Sequence, residues 1–515
     1  MMFGSRDKDT ICSVSTPSGI GGISVIRISG SNALKIVSKL IKNPPKIIES
    51  HRVFLANFID FNTQSLIDEV CITPFLNNRS FTGEEVIEIS CHGSPVICNL
   101  ILDQLCNQGA RIAERGEFTY RAFLNNRIDL VQAESVLSVI HSKSELSSKL
   151  ALRQLKGDLS KKIAEVEDDI LWCLAHIEAS IDFSAEDIEI IKDDVLLLKL
   201  SQIQNKISSL IKSFKVGKMI SDGIQLTLSG KPNTGKSSLM NLFLQNDRSI
   251  ISPIAGTTRD VIKDEFLYDG LRFIIADTAG IRHKTDDVIE KIGIERTYKE
   301  QKEAQVNLFV FDFFEDPQNF DPLQFEYLNG FDFSTCFIIF NKMDLYLSSS
   351  AMESFKSEWK NLQQRINSNP EIDIFSVISD EKIKNLLKKA VNYLEKTRVF
   401  DANSHINLWL SEHLIFCSSM DAASRDLILG AVKNIWIHSG NAIENISVSS
   451  SRQFDDLNQA FSLINKTYAG VEEGLGHEFI AFDLKDALLS VQRILGVVYD
   501  DQILDKVFKE FCLGK

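Results

Sequence analysis

Gly230-Lys-Pro-Asn-Thr-Gly235-Lys236-Ser237 follows the apolar run Ile224–Leu228 and opens a helix-like stretch, the setting a phosphate-binding loop requires. Its glycines let backbone N–H groups close around phosphate oxygens. Lys236 supplies positive charge to the β- and γ-phosphates, and the Ser237 hydroxyl suits Mg²⁺. By itself this loop implies only a nucleoside triphosphate. Asp277-Thr278-Ala279-Gly280 then ends the run Arg272–Ala276, where the carboxylate can reach the outer shell of the magnesium and the glycine N–H the γ-phosphate.

The base is indicated by Asn341-Lys342-Met343-Asp344, which follows Cys336–Phe340 and resembles the guanine-specificity motif of small GTPases. An aspartate there accepts both N–H donors on the guanine edge, which adenine does not offer, so GTP rather than ATP is expected. Gly256-Thr257-Thr258-Arg259-Asp260 resembles switch I, with Thr258 as the second hydroxyl ligand of Mg²⁺. Phe375-Ser376-Val377-Ile378-Ser379 aligns with the Ser-Ala-Lys element that supports the base, with Val377 in place of the small alanine. Where Ras-like enzymes carry a water-orienting glutamine, this chain has Ile281, which neither donates nor accepts, so the water must be positioned otherwise.

These segments need a sheet to hold them. Between Ile224 and about Leu394, the apolar runs Ile224–Leu228, Arg272–Ala276, Val306–Phe311, Cys336–Phe340 and Ile372–Val377 alternate with helix-like stretches, which predicts a mostly parallel, doubly wound sheet. Residues 10–125 mix short β-like stretches (Ile23–Ile28, Val86–Ile89) with helical ones such as Pro95–Leu105. Helical periodicity follows in Leu155, Leu159, Ile163, Val166, Ile170, Leu174, Ile177 and Ile181, and returns in Phe454, Leu457, Phe461, Ile464, Tyr468 and Val471. The expected organisation is an α/β region over 1–126, helical segments over 127–220 and 396–515 forming one bundle, and an α/β nucleotide domain over 221–395 inserted between them.

The chain has 515 residues, too many for one core, and 44% are hydrophobic. No apolar run is long enough to cross a bilayer, and Met1–Asp9 resembles neither a signal peptide nor a transit peptide, so a cytoplasmic protein without a membrane partner is expected. Nine cysteines show no Cys-x-x-Cys pair or zinc-ligand spacing, so reduced thiols are expected. A net charge of −14 argues against gripping nucleic acid with the whole surface.

Outside the nucleotide motifs, Ser15–Gly22 through Arg27–Gly30, Phe81–Glu88, Cys91-His-Gly93, Arg115–Phe118 through Ala122–Asn125, Asp129–Glu134 and the terminal Phe511-Cys-Leu-Gly-Lys515 are similar to the MnmE family of tRNA-modifying GTPases. Leu513, where isoleucine is usual, and Gln453 after Arg452, where histidine is common, depart from the family pattern. The resemblance spans the chain. It implies a homodimer held by the amino-terminal domain and GTPase domains that meet when GTP is bound. It also implies an FAD-dependent MnmG-like partner, in a heterotetramer or larger complex, acting on the wobble uridine of tRNA. The nucleotide set it implies is Asn233, Thr234, Gly235, Lys236, Ser237, Ser238, Ser252, Thr257, Thr258, Asp277, Thr278, Ala279, Gly280, Asn341, Lys342, Asp344, Ser376 and Val377. Mg²⁺ falls to Ser237 and Thr258, and K⁺ to Asn233, Ser252, Ile254 and Thr257, beside the bond where charge builds during transfer.

The same resemblance assigns a reduced folate, 5-formyl- or methylene-tetrahydrofolate, to Arg27, Glu88, Arg127 and Lys515. Family members often carry lysine where Arg127 stands, which keeps the charge and changes the geometry. Glu290 matches the family's water-orienting glutamate and equally a solvated charge on a first helical turn. Cys512 matches a reactive thiol and equally a packing residue, and His92 reads as structural. The expected activity is GTP hydrolysis coupled to adding an aminomethyl or carboxymethylaminomethyl group at the uridine 5-position. The competing readings are a ribosome-assembly or signalling GTPase without folate chemistry, and a nucleotide-gated scaffold.

Overall fold

The computed structural model describes residues 9–182, 191–231, 233–244, 263–276, 304–313, 335–369, 381, 384, 385, 388, 405–436, 448–499, 501–511 and 514. The chain divides into two compact units, one of Met1–Ser142, Ser148–Phe214 and Ser447–Lys515, the other of Lys143–Ser147 and Lys215–Ile446.

The first unit contains a seven-stranded sheet of β1 (Ile11–Val14), β2 (Gly21–Ser29), β3 (Ile41–Lys42), β4 (Phe54–Ile59), β5 (Leu66–Phe75), β6 (Val86–Gly93) and β7 (Arg111–Ile112) in the order β3-β4-β5-β6-β2-β1-β7. Its pairings are antiparallel except that between β1 and β7. Along β5 the side chains alternate, with Asp68, Val70, Ile72 and Pro74 turned inward, the period of two that a one-sided sheet imposes. Ile26, Ile28, Phe58, Val70, Ile72 and Ile89 share a core with Ile101 and Leu105 of helix Pro95–Asn107, which starts at Ser94 with proline in its first turn.

The same unit carries the bundle. Leu159, Ile163, Val166, Ile170, Leu174 and Ile177 form the buried stripe of helix Asp158–Asp182, and they meet Leu457, Ile464 and Val471 of helix Ser451–Glu472 and Leu484 and Val491 of helix His477–Leu495 in one core. Each fully buried Leu or Ile contributes about 1.5–3 kcal/mol relative to exposure. An i,i+4 pair such as Arg452–Asp456 adds only about 0.2–0.5 kcal/mol, so the apolar seam sets the helix register. Leu155 departs from the predicted stripe: it ends helix Glu145–Leu155, Gly157 (φ 88) breaks the chain direction, and Leu155 packs instead beside Phe123, Phe508 and Phe511. Across the expected bound at 126/127, Phe123 of helix Glu117–Leu124 shares that cluster with Leu130 and Val136 of helix Leu130–His141.

The second unit is built on six strands, β8 (Ile224–Ser229), β9 (Lys263–Tyr268), β10 (Leu271–Ala276), β11 (Val306–Asp312), β12 (Cys336–Asn341) and β13 (Leu414–Phe416), in the order β13-β12-β11-β8-β10-β9. All pairings are parallel except the β9–β10 hairpin, which turns at Asp269-Gly270 with φ of 48 and 75. β11 and β12 are buried on both faces, as central parallel strands are. β8 lies between β10 and β11, at the point where the strand order reverses, and its carboxyl end is where doubly wound sheets bind ligands.

One edge differs from the prediction. The strand beside β12 is Leu414–Phe416, paired through Ile338↔Leu414 and Phe340↔Phe416, while Ile372–Val377 lies outside the described residues. The unit therefore runs to Ile446, not to 395. A three-residue strand directly after helix His405–His413 has too short an apolar run to register as a separate element. Its Phe416 stacks on Phe340 and meets Phe355 and Trp359 of helix Ser349–Ser368 edge-on, which anchors the edge.

Candidate functional site

The phosphate loop leaves β8 at Ser229 and becomes helix Lys236–Leu244. Asn233 (φ 65) and Gly235 (φ 93) are left-handed, and a Cβ on Gly235 would collide with Asn341 Nδ2, so glycine is required there. Lys236 Nζ donates to Gly230 O at 2.8 Å and Lys231 O at 2.6 Å, folding the side chain back over the loop. Burial lowers its ammonium pKa below the ordinary lysine value. Thr234 is buried and donates to Lys231 O at 3.0 Å, whereas Ser237 and Ser238 stand exposed in the first helical turn, where unpaired N–H groups and the helix dipole favour an anion.

The base-reading segment leaves β12. Asn341, fully buried, donates through Nδ2 to Thr234 O at 3.0 Å, tying this segment to the phosphate loop. Its Oδ1 accepts from Ser419 N at 2.9 Å. Asp344 is exposed and accepts from Ser418 Oγ at 2.6 Å on Oδ1, a bond that restrains the carboxylate. Met420 N in turn donates to Ser418 Oγ at 3.1 Å, and Ser418 N to Ser424 Oγ at 3.2 Å. Beside them the Cys417 thiol is enclosed, and burial pushes its pKa above the ordinary value.

The segment after β13 thus supports the base-reading motif: Ser418 contacts Asp344, Ser419 contacts Asn341, and Met420 N holds the Ser418 hydroxyl. The sequence reading missed these residues and placed that role on Ser376 and Val377, which lie outside the described residues. The signal available was Leu414-Ile-Phe-Cys417, an apolar run followed by two serines and then helix Ala423–Trp436. Ser252, Ile254, Thr257, Thr258, Asp277, Thr278, Ala279, Gly280, Glu290, Cys512 and Lys515 also lie outside the described residues.

In the seven-stranded sheet, Arg27 on β2 and Glu88 on β6 are direct register partners. Arg27 donates from Nε at 3.0 Å and Nη2 at 2.8 Å, both to Glu88 Oε1, and its guanidinium lies 5.7 Å from the Phe118 ring centre. Both donors use one oxygen, so Oε2 is left for a ligand's N–H groups. Arg127 is not part of this pair: it lines a cavity of about 530 Å³ with Phe123, Asn126, Gln132, Gly496 and Tyr499. The carboxyl-terminal tail meets the end of β1, where Ser15 Oγ donates to Gly514 O at 3.2 Å, two residues beyond Ser13, the register partner of Arg27. His92 is held by the buried Asp68, which accepts from its backbone N at 2.8 Å and lies 2.7 Å from Nδ1, a bond that braces β6 against β5. Gln453 donates to Glu134 Oε2 at 2.8 Å while Arg452 donates to Oε1 at 2.7 Å, so the glutamine takes part in a structural network.

Among the described residues no cluster of three His, Cys, Asp or Glu side chains can hold a metal, and no helix is long and apolar enough to cross a membrane. Residues 10–127 match the family model described as the GTP-binding protein TrmE N-terminus, and residues 130–512 match that of the MnmE helical domain. The chain is 43% identical over 516 residues to the tRNA modification GTPase MnmE of Bdellovibrio bacteriovorus, covering 100% of this chain and 99% of that protein. It is 35% identical over 518 residues to the tRNA modification GTPase MnmE of Flavobacterium johnsoniae, covering 99% of this chain and 100% of that protein. Among solved structures, Era with MgGDPNP and a 16S ribosomal RNA segment matches at 23% identity and a TM-score of 0.25, over 41% of this chain and 55% of that one, too low to extend the assignment. Full-length identity at this level, on a sheet that carries the phosphate loop and the guanine motif at its strand ends, means that the chain belongs to the MnmE family of tRNA modification GTPases.

Proposed function

We propose that this GTPase binds GTP between the Gly230–Ser238 loop and the Asn341–Asp344 segment, and that its hydrolysis drives a conformational cycle in tRNA wobble-uridine modification. The observation that carries the reading is the Ser418–Asp344 bond together with the Asn341–Thr234 tie, because the first restrains a carboxylate suited to the guanine N–H donors and the second joins its segment to the phosphate loop. Ser418 and Ser419 take the base-supporting role first given to Ser376 and Val377.

Ser237, exposed in the first helical turn, fits one Mg²⁺ ligand, with Thr258 as the second. Asn233, exposed and left-handed, fits K⁺ with Ser252, Ile254 and Thr257. The chemistry both cations supply is neutralisation of charge on the phosphate oxygens. Glu290 is assigned to orienting the water, since Ile281 has no polar group. Arg27 and Glu88 suit a reduced folate, the free Glu88 oxygen taking pterin N–H donors and the guanidinium a carbonyl, while Arg127, in its neighbouring cavity, and Lys515 are assigned to the ligand's glutamyl end by the family resemblance. Such a folate would supply the one-carbon unit, with Cys512 as the candidate thiol. The protein is assigned to the cytoplasm, as a homodimer working with an FAD-dependent MnmG-like partner.

The deciding experiment is the wobble-nucleoside profile of a deletion strain, with GTP hydrolysis by the purified chain measured in K⁺ and in Na⁺. Lost modification and hydrolysis stimulated by K⁺ alone are expected. An unchanged nucleoside profile removes the proposed pathway role while leaving the GTPase assignment standing.

A further inference from the structure

Lys342 follows the last residue of β12 and caps the short helix Met343–Tyr346. Its backbone is left-handed (φ 67), and its Nζ donates to Asp312 Oδ2 at 2.7 Å. Asp312 is the last residue of β11 and the register partner of Asn341, so its carboxylate stands beside the base-reading segment. On the way, the lysine stem passes the phosphate loop: a Cβ on Gly235 would lie 3.9 Å from Lys342 Cε. Asn341 makes a second tie to that loop through Thr234 O.

A lysine stem is flexible, and its place is set by what the ammonium meets. With side-chain exposures of 27% and 23%, the pair is not deep enough for fold stability to account for it, since partly exposed ion pairs add little. What it fixes is location. We propose that Asp312 is a positioning residue of the guanine-nucleotide site, holding Lys342 across the gap between the base and the phosphate loop. This rests on the guanine-nucleotide reading of the site. Held there, the lysine stem covers the bound nucleoside and slows its escape. Asp312 therefore sets the release rate of GDP and GTP alike and leaves the chemical step unchanged.

The test uses the full chain and the dissociation of a fluorescent GDP and a fluorescent non-hydrolysable GTP analogue. It compares wild type, Asp312→Ala, Asp312→Asn, Lys342→Met and the Asp312→Ala/Lys342→Met double variant. Asp312→Ala is expected to speed release of both nucleotides about tenfold. Asp312→Asn should do so by less, because the amide still accepts a hydrogen bond, and the single-turnover rate at which bound GTP is hydrolysed should stay unchanged in both. In the Lys342→Met background, removing the carboxylate should have no further effect, a result that a merely structural role would not give. Equal acceleration in that background, unchanged release in Asp312→Ala, or a fall in the single-turnover rate with release unaltered would each overturn the proposal. Should Asp312→Ala not fold, the same cycle is read with Asp312→Asn. A wild-type chain that binds no guanine nucleotide fails the site reading itself, a result visible before any variant is compared.

Discussion

The two sheets present their candidate side chains differently. The parallel sheet delivers them at strand ends, where Ser229, Asp312, Asn341 and Phe416 hand the chain to loops on one edge. The antiparallel sheet delivers them from strand middles, where Arg27 and Glu88 face each other across β2 and β6. The first arrangement leaves backbone N–H groups and carbonyls available to a ligand and lets loops change length without disturbing the sheet. The second fixes side-chain spacing by register and offers side-chain chemistry alone. Nucleotide recognition is therefore distributed over several loops, and the Arg27–Glu88 pair behaves as a rigid unit.

Substitutions can test that contrast. The largest effect is expected from Asp344→Asn, which should lower GTP affinity about a hundredfold and shift preference to xanthosine triphosphate, since the amide pairs with the xanthine carbonyl. Competition binding of the two nucleotides checks it, and unchanged preference would remove Asp344 from the base edge. Next, Ser418→Ala deletes the 2.6 Å bond to that carboxylate and should weaken GTP about tenfold, whereas Ser376→Ala should leave it unaltered. Equal losses at both positions would mean that β13 does not carry the base support alone.

Arg27→Ala should weaken reduced-folate binding by about three- to tenfold with GTP hydrolysis preserved, as measured by calorimetry beside a phosphate-release assay. A matching loss of hydrolysis would break the separation between the two sheets. The smallest effect is in pH. Burial lowers the Lys236 pKa, and a bound triphosphate favours the charged ammonium, so nucleotide affinity is full below the lowered pKa of the free site. It should decline as pH rises through that value, which is reached before the 10.5 of an ordinary lysine, and a Lys236→Arg variant should flatten the decline.

What was legible in the sequence follows the same contrast. The phosphate loop and Asn341–Asp344 are contiguous strings on strands long enough to recognise, and both stand where the periodicity put them. The helical stripes were legible because the three- and four-residue step survives in helix Asp158–Asp182 almost intact. Arg27 and Glu88 are 61 positions apart, so no spacing rule pairs them and only the family resemblance brought them together. Ser418 was missed because helices Ser349–Ser368 and His405–His413 separate β12 from β13, and a serine-bearing apolar run inside that interval matched the motif first. Length, not chemistry, hid the residue.

The shared core of the bundle has a consequence for synthesis. Helix Asp158–Asp182 packs against helices Ser451–Glu472 and His477–Leu495, which emerge about 270 residues later. Helix Asp193–Asp222 joins the same core within seconds through Leu196, Leu200, Ile203 and Ile207, but at about 5–20 residues per second the rest of the stripe waits roughly a quarter of a minute to a minute for its later partners. During that interval the stripe is open to chaperones and to neighbouring nascent chains, while residues 215–446 form a continuous stretch able to close its own sheet first. Variants that slow this inserted stretch should therefore raise aggregation of the newborn chain even when the finished protein is no less stable.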